Sequence, residues 1–206
     1  MDQLVIVKIG GNIVDDDASL QLFLKSFAEI KQAKILVHGG GKLATRLAET
    51  MGIQQQMVEG RRITDAETLK VVTMVYAGYI NKSIVAQLQQ YGANSIGLTG
   101  ADANAVLAHK RKGKMPDAID YGFVGDIDQV NAAFFNKLIQ QSLVPVVSPI
   151  THDGKGQLLN TNADTIAQSI ATAMSSFYET ILVYSFEKQG VLLDINNADS
   201  VIPIID

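Results

Sequence analysis

The chain has 206 residues, of which 17 are Lys or Arg and 21 are Asp or Glu, so its formal net charge is −4. This length fits one large domain, or one domain and part of a second. Hydrophobic residues make up 47% of the chain and charged residues 18%, which excludes bulk disorder. The chain has no Cys, which excludes disulfides and thiol chemistry. Its mild acidity argues against a dedicated nucleic-acid-binding protein.

The sequence shows no targeting or membrane segment. Its longest apolar runs, at 143–147 and 181–184, are far shorter than the ~20 residues that a membrane-spanning helix needs. The first residues also lack the basic flank of a signal peptide. We therefore expect a cytoplasmic protein without a membrane partner.

The first 51 residues alternate strand, glycine turn and helix. An apolar run over 4–9 predicts a strand that ends at Gly10 and Gly11, and the acidic residues at 15–17 are N-cap candidates for a helix over 18–30. A second strand over 34–38 ends at three consecutive glycines, 39–41, before a helix over 43–51. Such alternation predicts parallel strands joined by helical crossovers.

The remaining elements continue this pattern. Residues 56–63 predict a small hairpin, and a capping box over 64–67 predicts the start of a helix that runs to about residue 90. Further strands are predicted over 94–98, 143–150, 157–160 and 180–185, helices over 131–141 and 163–175, and a hairpin from 105–110 and 121–126. The sequence therefore predicts an α/β fold whose mostly parallel sheet is covered on both faces.

The two glycine turns are the strongest candidates for a ligand site. Ligands of open α/β sheets bind beyond the carboxyl ends of the strands, where Gly lets the backbone approach and the next helix presents free N–H groups. Two such turns on successive strands predict two anionic groups held side by side. A dinucleotide-binding pattern also matches at Gly39, Gly41 and Ala44, with Glu59 as its ribose-binding acid, and this alternative stays open.

Three charged or polar features extend this hypothesis. Lys8 lies in an otherwise apolar strand, where an ammonium is costly to bury unless it meets an anion. Adjacent strand residues point to opposite faces, so at most one of Arg61 and Arg62 enters a pocket, where it could clamp a carboxylate. Two asparagines and Asp164 lie within the strand-to-helix turn at 160–164, and Asp164 could orient Lys8 as its counter-ion.

In combination, these motifs are more specific than any one alone. The segments VKIGG, VHGGG, GRRIT, DYGFVGDI and NTNAD occur in this order. Together they closely resemble the N-acetylglutamate kinases of the amino acid kinase family over essentially the whole chain. The resemblance implies a three-layer αβα sandwich. It also implies phosphorylation of the side-chain carboxylate of N-acetyl-L-glutamate by ATP with Mg²⁺, the second step of arginine biosynthesis, with no separate protein metal site.

The resemblance also implies a role for each matched residue. Lys8 would stabilise the transferring phosphoryl group, and Asp164 would organise the catalytic lysines. The substrate-binding residues would be Gly40, Gly41, Arg62, which would take the α-carboxylate, and Asn160. The residues that contact the nucleotide would be Gly10, Gly11, Lys188, Gly190, Val191 and Leu192.

The chain departs from the family pattern in ways that shape further expectations. It ends before the downstream segment that carries the family's second catalytic lysine. We therefore expect residues 1–176 to form the acylglutamate-binding and dimerisation lobe, and 177–206 to begin an incomplete ATP-binding lobe. The first predicted strand begins at Leu4, without the preceding helix of the arginine-inhibited hexamers, which predicts a homodimer.

Alternatives remain at this point. The acyl group could be succinyl instead of acetyl, because the 100–103 loop lacks a second Gly often found there. Other amino acid kinases, acting on carbamate, uridylate or glutamate, are further candidates. From a different class, the chain could be a catalytically impaired module that keeps only the substrate pocket.

Overall fold

The structure is a computed structural model. It describes residues 1–54, 56–58, 61–112, 119–186, 190, 192–194, 196–197 and 199–203.

The N-terminal part alternates strand and helix as the sequence predicts. Asp16 caps the N-terminus of the first long helix, since its side chain accepts a hydrogen bond from the Ser19 N–H at 2.8 Å. A short helix that the sequence analysis did not predict follows the first glycine turn. The elements in order are β1 (Gln3–Ile9), α1 (Gly11–Val14), α2 (Asp17–Glu29), β2 (Ala33–His38), α3 (Gly41–Thr50), β3 (Met57–Val58) and β4 (Arg61–Arg62).

A long helical stretch follows, and its middle is a π-helix. It comprises α4 (Ala66–Thr73), the π-helical segment Met74–Ile80 and α5 (Asn81–Gln90). The predicted capping box is wrong by one residue, because Asp65 caps the helix by accepting from the Thr68 N–H at 2.7 Å. The Thr64 hydroxyl is used elsewhere, since it donates to the Arg62 carbonyl at 3.1 Å and accepts from Asn160 Nδ2 at 3.0 Å.

The rest of the chain completes the sheets. It contains β5 (Ser95–Leu98), β6 (Val106–Lys110), β7 (Gly125–Val130), α6 (Ala132–Gln140), β8 (Val144–Val147), β9 (Ile150–His152), β10 (Leu158–Asn160), α7 (Ala163–Met174) and β11 (Glu179–Ser185). The sequence predicts that residues 121–126 form one arm of a hairpin, and the predicted first residue of this arm is wrong. Residues 121–124 instead bridge to Thr64 and Asn160, and β7 begins only at Gly125.

The central sheet has five strands in the order β11-β1-β2-β8-β5, and every described pair is parallel. The inner strands β1 and β2 bury side chains on both faces: Leu36 of β2 joins one apolar core with Leu24 and Phe27 of α2, while Ile35 joins the other with Phe135 of α6. Burial on both faces is the arrangement that parallel sheets require. The predicted three-layer α/β fold is thereby confirmed.

A second sheet, in the order β10-β9-β6-β7, lies beside the first and carries Asn160 at the end of β10. Within the part of the chain that the structure describes, no helix is long and apolar enough to cross a membrane.

Candidate active site

The two glycine turns meet at the carboxyl ends of β1 and β2. These strands are adjacent and parallel, and the Gly39 N–H donates to the Ile9 carbonyl at 3.0 Å. The turns approach closely, since a Cβ on Gly11 would lie 3.5 Å from Gly41 N and 3.8 Å from Gly40 N. Gly40 has a φ of +145°, a conformation that L side chains rarely adopt, and a Cβ there would overlap Ile80 Cδ1.

A lysine and an aspartate form an ion pair beside these turns. Lys8, one residue from the end of β1, has its Nζ 2.9 Å from Asp164 Oδ1 in the first turn of α7. The Lys8 side chain is only 15% exposed and that of Asp164 is 50% exposed. The aspartate therefore fixes the position of the ammonium at the end of a largely buried lysine side chain.

The guanidinium of Arg62 is held at the start of α3. Arg62 lies in β4 and is 8% exposed. Its Nη2 donates to the Gly41 carbonyl at 3.0 Å and to the Thr45 hydroxyl at 2.9 Å. These bonds fix the plane of the guanidinium beside the second glycine turn, which suits the binding of a carboxylate.

Asn160, at the end of β10, links the second sheet to the segment that carries Arg62. Its Nδ2 donates to the buried Thr64 hydroxyl at 3.0 Å, and its N–H donates to the Phe123 carbonyl at 2.9 Å. The neighbouring Thr161 is also buried, and its hydroxyl lies 2.7 Å from that of Thr151. The segment that leads into α7 is therefore anchored by paired polar groups.

These side chains and turns border one cavity of about 330 Å³. That volume lies at the small end of ligand pockets and fits a metabolite. The first residues of α3 and α7, Gly41 and Ala163, both line it, so two helix N-termini add positive potential to the two cations. The predicted site residues that line the cavity are Lys8, Gly11, Gly40, Gly41, Arg62, Asn160 and Asp164.

The other predicted site residues are placed differently. Gly10 does not line the cavity but lies beside it, since a Cβ on Gly10 would be 3.9 Å from Lys8 Nζ. Gly190 and Leu192 follow β11 and do not border the cavity; Leu192 bridges to Val201. Lys188 and Val191 lie outside the described residues.

Sequence reasoning missed several residues of the cavity wall. Met57, Val124 and Pro149 supply apolar surface from three separate segments, and Tyr76 comes from the π-helix. Burial raises the pKa of the Tyr76 phenol, against the opposing effect of its hydrogen bond and charge interaction with Arg62. Tyr76 therefore stays protonated at neutral pH. The α-helical period of 3.6 residues per turn did not predict that Tyr76 faces the cavity, because a π-helix has more residues per turn.

His38 is outside the cavity wall and fully buried. Burial lowers its pKa to about 4, so the ring is neutral at physiological pH. Its position outside the cavity wall and its neutral ring favour a structural role over a catalytic one.

Comparison with known proteins agrees with this geometry. The sequence model of the amino acid kinase family matches residues 3–206. The acetylglutamate kinase of Phocaeicola vulgatus is 58% identical over 204 residues, which are 99% of this chain and 78% of that protein. The acetylglutamate kinase of Cytophaga hutchinsonii is 56% identical over 206 residues, or 100% of this chain and 77% of that protein.

A solved structure shows the same fold at lower identity. The N-acetylglutamate synthase of Neisseria gonorrhoeae, complexed with coenzyme A and N-acetyl-glutamate, superimposes with a TM-score of 0.78 and 20% identity. The match covers 97% of this chain and 44% of that one. The family match excludes the dinucleotide-binding alternative. The chain belongs to the amino acid kinase family and, within it, to the acetylglutamate kinases.

Proposed function

We propose that the chain transfers the γ-phosphoryl group of ATP to the side-chain carboxylate of N-acetyl-L-glutamate. The observation that carries this proposal is that Lys8, Arg62 and both glycine turns border one small cavity. The relatives named acetylglutamate kinase support the acetylated substrate over a succinylated one.

The reaction needs charge neutralisation more than proton transfer. A glutamate side chain has a pKa of about 4.3, so its carboxylate is already ionised at neutral pH and needs no general base. One of its oxygens attacks the γ-phosphorus while the bond to the β,γ-bridging oxygen breaks. ADP leaves with that electron pair, and the product is an acyl phosphate. Catalysis then consists mainly of bringing two anions together in line.

Each lining group has a part in this scheme. Lys8 places its ammonium against the transferring phosphoryl group, and Asp164 holds that ammonium at 2.9 Å. The Arg62 guanidinium binds the α-carboxylate of the substrate. The N–H groups of Gly40 and Gly41 and the amide of Asn160 bind the acylated amino acid. The apolar wall that includes Val124 and Pro149 accepts the acetyl group.

The nucleotide is proposed to bind at the first glycine turn, Gly10 and Gly11, and along 188–192. Within the described residues, no three His, Asp or Glu side chains cluster as a metal site would require. Mg²⁺ is proposed to enter on the ATP phosphates, where it would neutralise charge, since Mg²⁺ in such sites is held largely by phosphate oxygens and water. The two-lobe division at residue 176, the homodimer and the cytoplasmic location stay predictions, and light scattering tests the dimer.

The direct test is turnover with ATP, Mg²⁺ and N-acetyl-L-glutamate. The acyl phosphate is trapped with hydroxylamine as a hydroxamate, and ADP is measured in parallel. We expect both products in equal amounts. Unacetylated L-glutamate serves as the substrate control, and Lys8→Met, which keeps the aliphatic stem, serves as the protein control. Hydroxamate formed equally well from L-glutamate would contradict the proposed substrate.

A further inference from the structure

A chain of buried polar groups lies behind the second glycine turn, outside the cavity. His38 ends β2, and its Nδ1 lies 2.8 Å from the Gly39 carbonyl oxygen. Its Nε2 lies 3.1 Å from Nδ2 of Asn81, which begins α5 and is 1% exposed. Both side chains are in the core, where apolar residues would avoid the cost of desolvating polar groups.

The surroundings of Asn81 determine which ring nitrogen of His38 carries the proton. Asn81 Oδ1 accepts from Lys82 Nζ at 3.1 Å, which orients the amide. Asn81 Nδ2 donates one hydrogen to the Val146 carbonyl at 3.0 Å, so its other hydrogen points to His38 Nε2. Nε2 must therefore accept, and the neutral ring carries its proton on Nδ1. His38 Nδ1–H then donates to the Gly39 carbonyl.

That bond controls the direction of a backbone donor in the site. The Gly39–Gly40 peptide is planar and trans, so its N–H points away from its carbonyl. Gly40 N lies 3.8 Å from where a Cβ on Gly11 would be, on the side where the two glycine turns face each other. Among the described residues, no backbone carbonyl accepts a hydrogen bond from the Gly40 N–H. Holding the carbonyl back therefore keeps an unused donor directed at the ligand.

We propose that His38 is a positioning residue: its Nδ1–H anchors the Gly39 carbonyl and so aims the Gly40 N–H at the bound acylated amino acid. This inference rests on the proposed function, because it names that substrate as the acceptor. Asn81 fixes the tautomer that makes the arrangement work. The pair gives the flexible glycine turn one orientation, although no atom of His38 touches the ligand.

Two substitutions separate positioning from simple packing. His38→Asn puts an amide nitrogen near the place of Nδ1 and keeps a donor for the Gly39 carbonyl. His38→Gln extends its amide toward the place of Nε2 and loses that donor. Both replace the ring by a smaller side chain, so both cost stability, which is measured by urea unfolding under the binding conditions.

In His38→Gln the Gly39 carbonyl is no longer anchored, so the Gly40 N–H is no longer aimed at the anionic ligand. Losing one hydrogen bond to a charged group should raise the Kd for N-acetyl-L-glutamate about tenfold or more. His38→Asn should stay within about threefold of the original chain, because it restores the donor. Equal Kd values in the two variants, with folded protein in both, would overturn the positioning role. No binding by the unsubstituted chain would overturn the proposed function and, with it, the substrate named here.

The tautomer is tested without any ligand. Long-range ¹H–¹⁵N correlation spectra of the labelled chain distinguish a protonated ring nitrogen from an unprotonated one, and the His38 signals are identified by their loss in His38→Asn. We expect Nδ1 protonated and Nε2 unprotonated at pH 7. A proton on Nε2 would overturn the inference even if the chain binds its substrate.

Discussion

Substituting Gly40 by Ala tests whether the second glycine turn is packed as described. A Cβ at this position would overlap Ile80 Cδ1, whereas Tyr76 Cδ1 at 3.6 Å and Ile80 Cγ1 at 3.7 Å are at ordinary contact distance. The φ of +145° adds backbone strain of about 1–3 kcal/mol. Overpacking in a core adds about 1–3 kcal/mol. We therefore expect Gly40→Ala to lower the free energy of unfolding by about 2–6 kcal/mol.

A second substitution removes the overlapping atom alone. Valine has no Cδ1, so Ile80→Val should cost only about 0.5–1.5 kcal/mol by itself. In the double variant the overlap is gone and only the strain remains. The double variant should therefore be more stable than the sum of the single effects by about 1–3 kcal/mol.

Gly52→Ala is a matched control for strain without overlap. Gly52 has a φ of +74°, and a Cβ there would meet no atom within 4 Å. It should cost about 1–2 kcal/mol and should show no coupling to Ile80→Val. The assay is urea unfolding followed by circular dichroism for all these variants. Additive effects of Gly40→Ala and Ile80→Val would refute the packing argument.

Further predictions concern catalysis and pH. Lys8→Met should lower kcat by about 10²–10³-fold with little change in the KM for N-acetyl-L-glutamate, because its charge acts on the transferring group; a change in KM alone would contradict this role. Asp164→Asn should lower kcat about tenfold or more by misplacing the Lys8 ammonium, measured in the same assay. Burial lowers the pKa of His38 to about 4 from an ordinary 6.5. Between pH 4 and 6.5 the His38 ring is therefore protonated in the unfolded chain and neutral in the folded chain. About 3 kcal/mol of stability should therefore be lost as the pH falls from about 6.5 to 4, and unfolding curves of His38→Asn should lack that contribution.

The parts of the site that the sequence could predict are those set by local order along the chain. Lys8, the glycine turns and Asp164 each lie at the carboxyl end of a strand or the start of a helix. In a parallel sheet those ends come together. The central sheet could also be predicted. Buried parallel strands are continuous apolar runs, and here these runs alternate with predicted helices.

The parts that could not be predicted depend on contacts between distant segments. The Thr64 hydroxyl has partners at residues 62 and 160, so it could not cap the helix that its sequence pattern favours. Tyr76 reaches the cavity from a π-helix, which the spacing of apolar residues along the sequence does not predict. The apolar wall combines Met57, Val124 and Pro149, whose proximity follows only from the folding of segments that are distant along the chain.

Calorimetric titration of the chain with N-acetyl-L-glutamate tests the central claim most directly, with N-succinyl-L-glutamate run in parallel. Circular dichroism first establishes that each sample is folded. We predict saturable binding of one N-acetyl-L-glutamate per chain, weakened about tenfold or more in Arg62→Ala because a charge-assisted clamp is lost. A folded chain that binds N-acetyl-L-glutamate with the same Kd after Arg62→Ala, or that does not bind it at all, would contradict the account.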